Sequence, residues 1–239
     1  IGTLLRTDRT ALPAPLAIRA WTAFFQSNDL GLTDAYFKAQ GDAVAVVLWD
    51  AVDQPVRAAV SGRGLLVLAV PPGRYDLGLD VDSAGVLGRV RRETQVPRFS
   101  MADLNLSSLA LAPVPPGAAA PGRETALAAM PADLTYPSGV PLAAYVEIYG
   151  LTTDRDGRSQ YRVRYAFAPV RSWAARLLGA AARPVVFEFA RAAPSGNAIE
   201  RLVIEPDRLP AGRYRVSVAV TDAGRNVKSE SAALVVTIH

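Results

Sequence analysis

One sequence pattern occurs twice in the chain, and this repeat constrains the fold more than any other feature. Residues 70–85 read VPPGRYDLGLDVDSAG and residues 209–224 read LPAGRYRVSVAVTDAG, at an offset of 139 positions. The positions shared by both copies are Pro71, Gly73, Arg74, Tyr75, Val81, Ala84 and Gly85, which match Pro210, Gly212, Arg213, Tyr214, Val220, Ala223 and Gly224. Because a fixed internal offset is typical of a repeated structural unit, the repeat predicts two copies of one fold.

Each copy carries the signals of a turn followed by a strand. In the Pro-x-Gly turn, proline presets φ and glycine accepts a positive φ. The segment after the turn alternates with period two, so that one face of the second copy carries Tyr214, Val216, Val218 and Val220. A short apolar run precedes each turn, and a last strand follows each copy, at Thr94–Val96 and Leu234–Ile238. This order is typical of the closing strands of an immunoglobulin-like β-sandwich.

The tyrosine that opens each repeated strand lies where such sandwiches have a tyrosine corner, in which the phenol bonds back to the backbone of the preceding crossover. We therefore predict a structural role for Tyr75 and Tyr214, with Gly73 and Gly212 in the turns before them. Both phenols should be largely buried, with their hydroxyls bonded to nearby backbone.

The remaining strand and turn signals predict the domain organisation. Residues 112–141 hold seven prolines, which predicts an extended linker with one turn of helix near Thr125–Ala129. The predicted fold is all-β, with two tandem immunoglobulin-like β-sandwich domains at 1–111 and 142–239, that Pro-rich linker between them, and a short helical insertion in the second. Residues 16–25 fit either a strand or a short helix. Further predicted strands are Ala43–Trp49, Ala144–Tyr149, Tyr161–Phe167 and Val185–Phe189.

The sequence resembles a known group of bacterial modules. The strings VPPGRYDLGLDV, VPRFSMADLNLSSLAL and LPAGRYRVSVAVTD are similar to the paired β-sandwich modules that accompany GWxTD domains and von-Willebrand-A-related secreted proteins. The resemblance covers residues 40–239. The GWxTD motif itself is absent from the sequence, so the resemblance implies an envelope or extracellular accessory module and no activity.

Composition excludes several classes of function. The chain has no cysteine, which rules out disulfides, thiolate nucleophiles and cysteine-based metal sites. The net charge is +4, but its arginines are scattered and its only lysines are Lys38 and Lys228, whereas nucleic-acid binders concentrate basic residues on one face. No apolar run is long enough to cross a bilayer. The chain begins at Ile1 without a charged-then-apolar leader, which we interpret as a processed form.

Catalytic and metal-binding groups are scarce. The only histidine is His239, so histidine-dependent nucleophilic and metal sites lack their key residue, and we expect no catalytic residue, metal or cofactor. Asp76, Asp80 and Asp82 share one face of the first repeated strand, where calcium binding is one interpretation. The favoured interpretation is a solvated outer face, because the second copy has no acid at the three equivalent positions. Glu147 is expected to form a cross-strand pair with Arg162 or Arg164.

One segment does not fit a bare sandwich. Residues 171–183 read RSWAARLLGAAAR, whose composition favours a short helix. One interpretation is a helix folded over the edge of its own sandwich. The other is a partner-binding anchor, because tryptophan and arginine dominate binding hot spots; its residues are Trp173, Leu177, Arg171 and Arg176.

Taken together, these features favour a non-enzymatic structural or protein–protein interaction module. We expect an extrinsic accessory or scaffold subunit, periplasmic or extracellular, with other proteins as partners, among them a membrane protein complex, and no nucleic acid. The alternative is a carbohydrate- or ligand-binding accessory module. That alternative needs exposed aromatic side chains, and its candidates are Tyr145, Tyr149, Tyr161 and Tyr165.

Overall fold

The computed structural model of the chain describes residues 18–52, 54–62, 64–170 and 183–239. The chain divides into two units, Ile1–Phe99 and Ser100–His239, and each unit has its own hydrophobic core. Within the described ranges, no helix is long and apolar enough to cross a membrane.

The first unit contains seven described strands. They are β1 (Ala20–Gln26), β2 (Thr33–Ala39), β3 (Ala43–Trp49), β4 (Pro55–Ser61), β5 (Leu65–Val70), β6 (Gly73–Ser83) and β7 (Val86–Val96). One sheet has the order β1-β2-β5 and the other has the order β4-β3-β6-β7, with antiparallel pairing throughout.

The second unit contains the remaining elements. They are β8 (Asn105–Leu106), β9 (Ala110–Pro113), α1 (Arg123–Ala129), β10 (Thr135–Tyr136), β11 (Leu142–Tyr149), β12 (Ser159–Pro169), β13 (Val185–Ala193), β14 (Ala198–Ile204), β15 (Gly212–Asp222), β16 (Val227–Glu230) and β17 (Leu234–Ile238). One sheet places β14 on one side of β11, with β8 and β9 on the other side. The second sheet has the order β10-β17-β15-β12-β13, and β16 also pairs with β15.

Both units share one topology. In the first unit, strands one, two and five form one sheet, and strands four, three, six and seven form the other. The second unit repeats this order when β8 and β9 count as its first strand and β16 and β17 as its last. Two sheets connected in this way and packed around a shared core form an immunoglobulin-like sandwich, so the all-β prediction is confirmed.

Period-two alternation directs alternate side chains of the two repeated strands into the hydrophobic cores. In β15, Tyr214, Val216, Val218 and Val220 belong to the core of the second unit, as the alternation predicted. In β6, Leu77, Leu79 and Val81 belong to the core of the first unit. The repeated sequence therefore forms the sixth strand of both sandwiches.

The predicted linker at 112–141 and the domain bounds 1–111 and 142–239 differ from the structure, in which the chain passes from the first unit to the second between Phe99 and Ser100. Strands β8 and β9 pair with β11, β10 runs parallel to β17, and the predicted helical turn is α1. Several apolar residues between these prolines are fully or almost fully buried, namely Ala126, Leu127, Met130 and Tyr136, and the proline content of the segment gave no sign of this burial. Proline is also compatible with an edge strand, where Pro113 of β9 lies opposite Leu142.

Candidate functional site

The two repeated tyrosines form equivalent contacts. The hydroxyl of Tyr75 donates a hydrogen bond of 2.9 Å to the carbonyl oxygen of Pro71, and the hydroxyl of Tyr214 donates one of 2.8 Å to the carbonyl oxygen of Pro210. Both side chains are buried. Each bond spans four residues and connects the start of the sixth strand to the crossover before it. This is the contact that a tyrosine corner makes.

The glycine two positions before each tyrosine lies against the ring of that tyrosine. A Cβ atom placed on Gly73 would lie 3.4 Å from the ring of Tyr75, and one placed on Gly212 would lie 3.5 Å from the ring of Tyr214. The ring therefore lies directly over the glycine in both units. This packing of tyrosine on glycine is shared by both copies of the Gly-Arg-Tyr triplet.

Asp80 lies in a buried ion cluster. Its side chain is 8% exposed and accepts two hydrogen bonds of 2.8 Å from Nε and Nη2 of Arg89 and a third of 3.1 Å from Nη1 of Arg91. The expected solvated face is therefore wrong for Asp80, because two arginines of β7 cover it. Asp76 and Asp82 are half-buried, and Asp82 accepts a bond from the backbone N–H of Gly85 that closes the β6–β7 turn.

Beside this cluster, Arg91 also stacks on Trp49. Its guanidinium lies 5.0 Å from the centre of the indole ring, and Trp49 is almost fully buried. The indole lies across Gly78, where an added Cβ atom would come within 2.5 Å of the ring and 2.6 Å of Arg91. The absence of a side chain at position 78 thus creates the space that the cation–π pair fills.

Glu147 lies in a second buried network, on the outward face of β11. The guanidinium of Arg123 donates from Nε and Nη2 to its two carboxylate oxygens, each at 2.7 Å. Tyr145 and Tyr149 donate from their hydroxyls at 2.6 and 2.7 Å. Ser107 and Glu147 also exchange two bonds of 2.9 Å that involve their backbones. The expected partner, Arg162 or Arg164, is therefore wrong, because both point outward from the other sheet.

This arrangement keeps Glu147 ionised. Burial works to raise the pKa of Glu147, but the hydrogen bonds from Arg123, Tyr145 and Tyr149 outweigh burial and hold that pKa below its ordinary value. Burial, together with the hydrogen bond to Glu147, raises the pKa of Tyr145 to about 12. A carboxylate with a low pKa and four donors has no spare proton and no open lone pair for acid–base work.

Two further buried acids are held in the same way. Glu200 of β14 accepts a hydrogen bond of 2.5 Å from the hydroxyl of Tyr161, across the core, and lies 3.8 Å from Nε of Arg191. Asp222, at the end of β15, accepts bonds from the backbone N–H and hydroxyl of Thr152 and from Arg225. Burial acts to raise the pKa of Asp222, and these bonds lower it below its ordinary value.

Other predicted site residues fall into two groups. The partner-binding residues Trp173, Leu177, Arg171 and Arg176, and the predicted helix around them, lie outside the described residues. The tyrosines proposed for carbohydrate binding are all buried, namely Tyr145, Tyr149, Tyr161 and Tyr165. Among the residues that the structure describes, no group of three histidine, aspartate or glutamate side chains is placed to hold a metal ion.

Sequence reasoning missed the arginines that complete these clusters, although one signal was present. Ser83 pairs with Val86 across the β6–β7 turn, so counting back along both strands places Asp80 opposite Arg89. The register of the hairpin, counted from its turn, is enough to predict this pair. No comparable signal links Glu147 to Arg123, because that contact joins a helix to the outward face of a strand.

Comparisons with known proteins leave the family open. No protein-family model matches the chain, and no curated protein matches it. Solved structures that resemble it include a DUF4785 family protein from Legionella pneumophila, at 10% identity and a TM-score of 0.29, over 91% of this chain and 56% of that one. The chain thus spans little more than half the length of that protein.

Two other solved structures show a similar degree of likeness. Red sea bream transglutaminase matches at 12% identity and a TM-score of 0.27, over 92% of this chain and 31% of that one. The fibronectin(III)-like modules of Clostridium thermocellum CbhA match at 12% identity and a TM-score of 0.22, over 86% and 84%. All three scores are low, and the fold assignment rests on the strand order of the chain itself.

Proposed function

We propose that this chain is a non-enzymatic interaction module, in which each of two immunoglobulin-like sandwiches presents a surface to other proteins. The observation that supports this proposal is that the buried acidic side chains are already bonded to other residues of the chain. Asp80, Glu147, Glu200 and Asp222 each bond to an arginine, a tyrosine or both, in contacts that hold one strand to another element. Acids arranged in this way stabilise the fold and are closed to a substrate.

The place of action is part of the same proposal. The resemblance of the repeated strings to modules of bacterial secreted proteins supports an accessory role in the cell envelope, as an extrinsic subunit of a protein complex. The absence of cysteine is compatible with that setting, because both units have extensive apolar cores of their own. The segment around Trp173 remains a predicted anchor for a partner.

The test is isolation of the native protein under mild detergent, followed by identification of stoichiometric companions. We expect a defined protein partner that is retained through size-exclusion chromatography. The variant Trp173→Ala should weaken retention, and Val227→Ala, which changes an exposed apolar residue elsewhere, should not. Binding to an immobilised glycan in the absence of any protein partner would favour the carbohydrate-binding alternative instead.

A further inference from the structure

The outward face of the larger sheet in the second unit carries exposed arginines that take no part in the buried ion clusters described above. Arg162 and Arg164 lie on β12, and Arg213 and Arg215 lie on β15; all four side chains are exposed. The neighbouring residues on both strands point into the core. These four arginines and the small residues between them are called the arginine face below.

The register of β12 and β15 sets the spacing of the arginine face. Arg164 lies opposite Ala219, and Arg215 lies opposite Ala168. One pair is Arg162 and Arg164, and the other is Arg213 and Arg215. Their nearest members, Arg164 and Arg215, are thus separated along the strands by four residues, or about 13 Å at roughly 3.3 Å per residue. Between them lie Ala166 and Ser217, whose short side chains leave the centre of the face flat.

The charge of this face is unbalanced. Among the described residues, two acids lie on the same side of the sheet, and each has an ion-pair partner. Glu188, which is opposite Arg164 in the register, is 3.3 Å from Arg162, and Glu230 is 4.0 Å from Lys228. In the described part of the chain, no carboxylate lies within 4 Å of Arg164, Arg213 or Arg215. Three exposed guanidiniums therefore face solvent with their donors available for a planar anion such as a carboxylate.

The surroundings of the arginines indicate which kind of anion fits. Val186 lies opposite Ala166, at the centre of the face, and Val235 lies opposite Arg215, at one end. Both valines are partly exposed. A flat, weakly apolar centre between two charged ends matches the anatomy of a protein–protein interface. The described residues of this face include no aromatic side chain for stacking on bases and no apolar side chain larger than valine for insertion into lipid.

We infer that the arginine face docks an acidic protein surface, with carboxylates grouped at its two ends about 13 Å apart. This inference rests on the proposed interaction role and names the chemistry of the partner. Arginine is enriched at interfaces because its guanidinium binds carboxylates through two parallel hydrogen bonds. Complementary charge of this kind accelerates association and makes it sensitive to salt.

The probe for this inference is a fluorescein-labelled oligoglutamate, whose binding is followed by anisotropy at low and physiological salt. We expect the double variant Arg164→Glu/Arg215→Glu to weaken binding about ten-fold or more. The matched control is Arg155→Glu/Arg208→Glu, which makes the same change in net charge at exposed sites outside the face. The control should retain the affinity of the parent protein to within about two-fold.

Three results would overturn the inference. They are no measurable binding of oligoglutamate by the parent protein, an equal loss in both double variants, and tighter arginine-dependent binding to anionic phosphatidylglycerol vesicles or single-stranded DNA than to oligoglutamate. Circular dichroism establishes that both variants remain folded. A native complex that survives Arg164→Glu/Arg215→Glu would refute the arginine face and leave the interaction role intact, whereas the absence of any native complex would refute that role itself.

Discussion

Arg123 donates two hydrogen bonds of 2.7 Å to the carboxylate of Glu147, and this pair fastens α1 to the outward face of β11. The side chains of Arg123 and Glu147 are 20% and 8% exposed, so both charges lie largely out of water. A buried pair is costly to break from one side, because the remaining charge is left without its partner.

Removal of Arg123 should therefore destabilise the second unit. We expect Arg123→Ala to lower the free energy of unfolding by about 3–5 kcal/mol, which hydrogen exchange of the β11 amides will measure. Arg155→Ala, at an exposed turn position, serves as the control and should change it by less than about 0.5 kcal/mol. Unchanged protection of β11 in Arg123→Ala would show that the pair contributes nothing to the unit.

The low pKa of Glu147 predicts the direction of a pH dependence. Its pKa is lower in the folded state than in the unfolded state, so the unfolded state binds more protons as the pH falls. The stability from Glu147 is thus fully present above the ordinary value of about 4.3 and is lost as the pH falls through the depressed folded value. Denaturant titrations at successive pH values should show a shallower acid dependence for Glu147→Gln. An identical dependence would contradict the assignment.

The two tyrosine corners provide a paired test. Tyr75→Phe and Tyr214→Phe each remove one hydrogen bond and leave the ring over its glycine, so each should cost about 0.5–1.5 kcal/mol. Each variant should lower amide protection in its own unit only, which makes each one the control for the other. A loss of protection in one variant and no loss in the other would contradict equivalent roles for the repeated tyrosines.

Gly78 tests the stack of Trp49 and Arg91. In Gly78→Ala the new methyl group would overlap the indole ring, and we expect a cost of about 1–3 kcal/mol together with a shift in tryptophan emission. Gly62→Ala is the matched control, because the closest atom to its added Cβ lies 4.0 Å away. Equal stability of the two variants would show that Trp49 moves aside without cost.

The sequence predicted those parts of the fold that depend on local chemistry. The period-two faces of β6 and β15 and the Pro-x-Gly turns before them depend on residues that are close together in the sequence. Alternation and turn signals were therefore enough to predict them. The segment 112–141 was misassigned because proline content hides burial, and the apolar residues there gain their partners only through tertiary packing. The partner of Glu147 was missed for the same reason: a contact between a helix and a distant strand face leaves no local pattern.

The interaction role is tested most directly by non-specific photo-cross-linking in the native membrane and soluble fractions, followed by mild purification and mass spectrometry. We expect one stoichiometric protein partner, whose association weakens with increasing salt and is lost in Arg164→Glu/Arg215→Glu but retained in Arg155→Glu/Arg208→Glu. A chain that elutes alone from every fraction, with no partner before or after cross-linking, would contradict the interaction role.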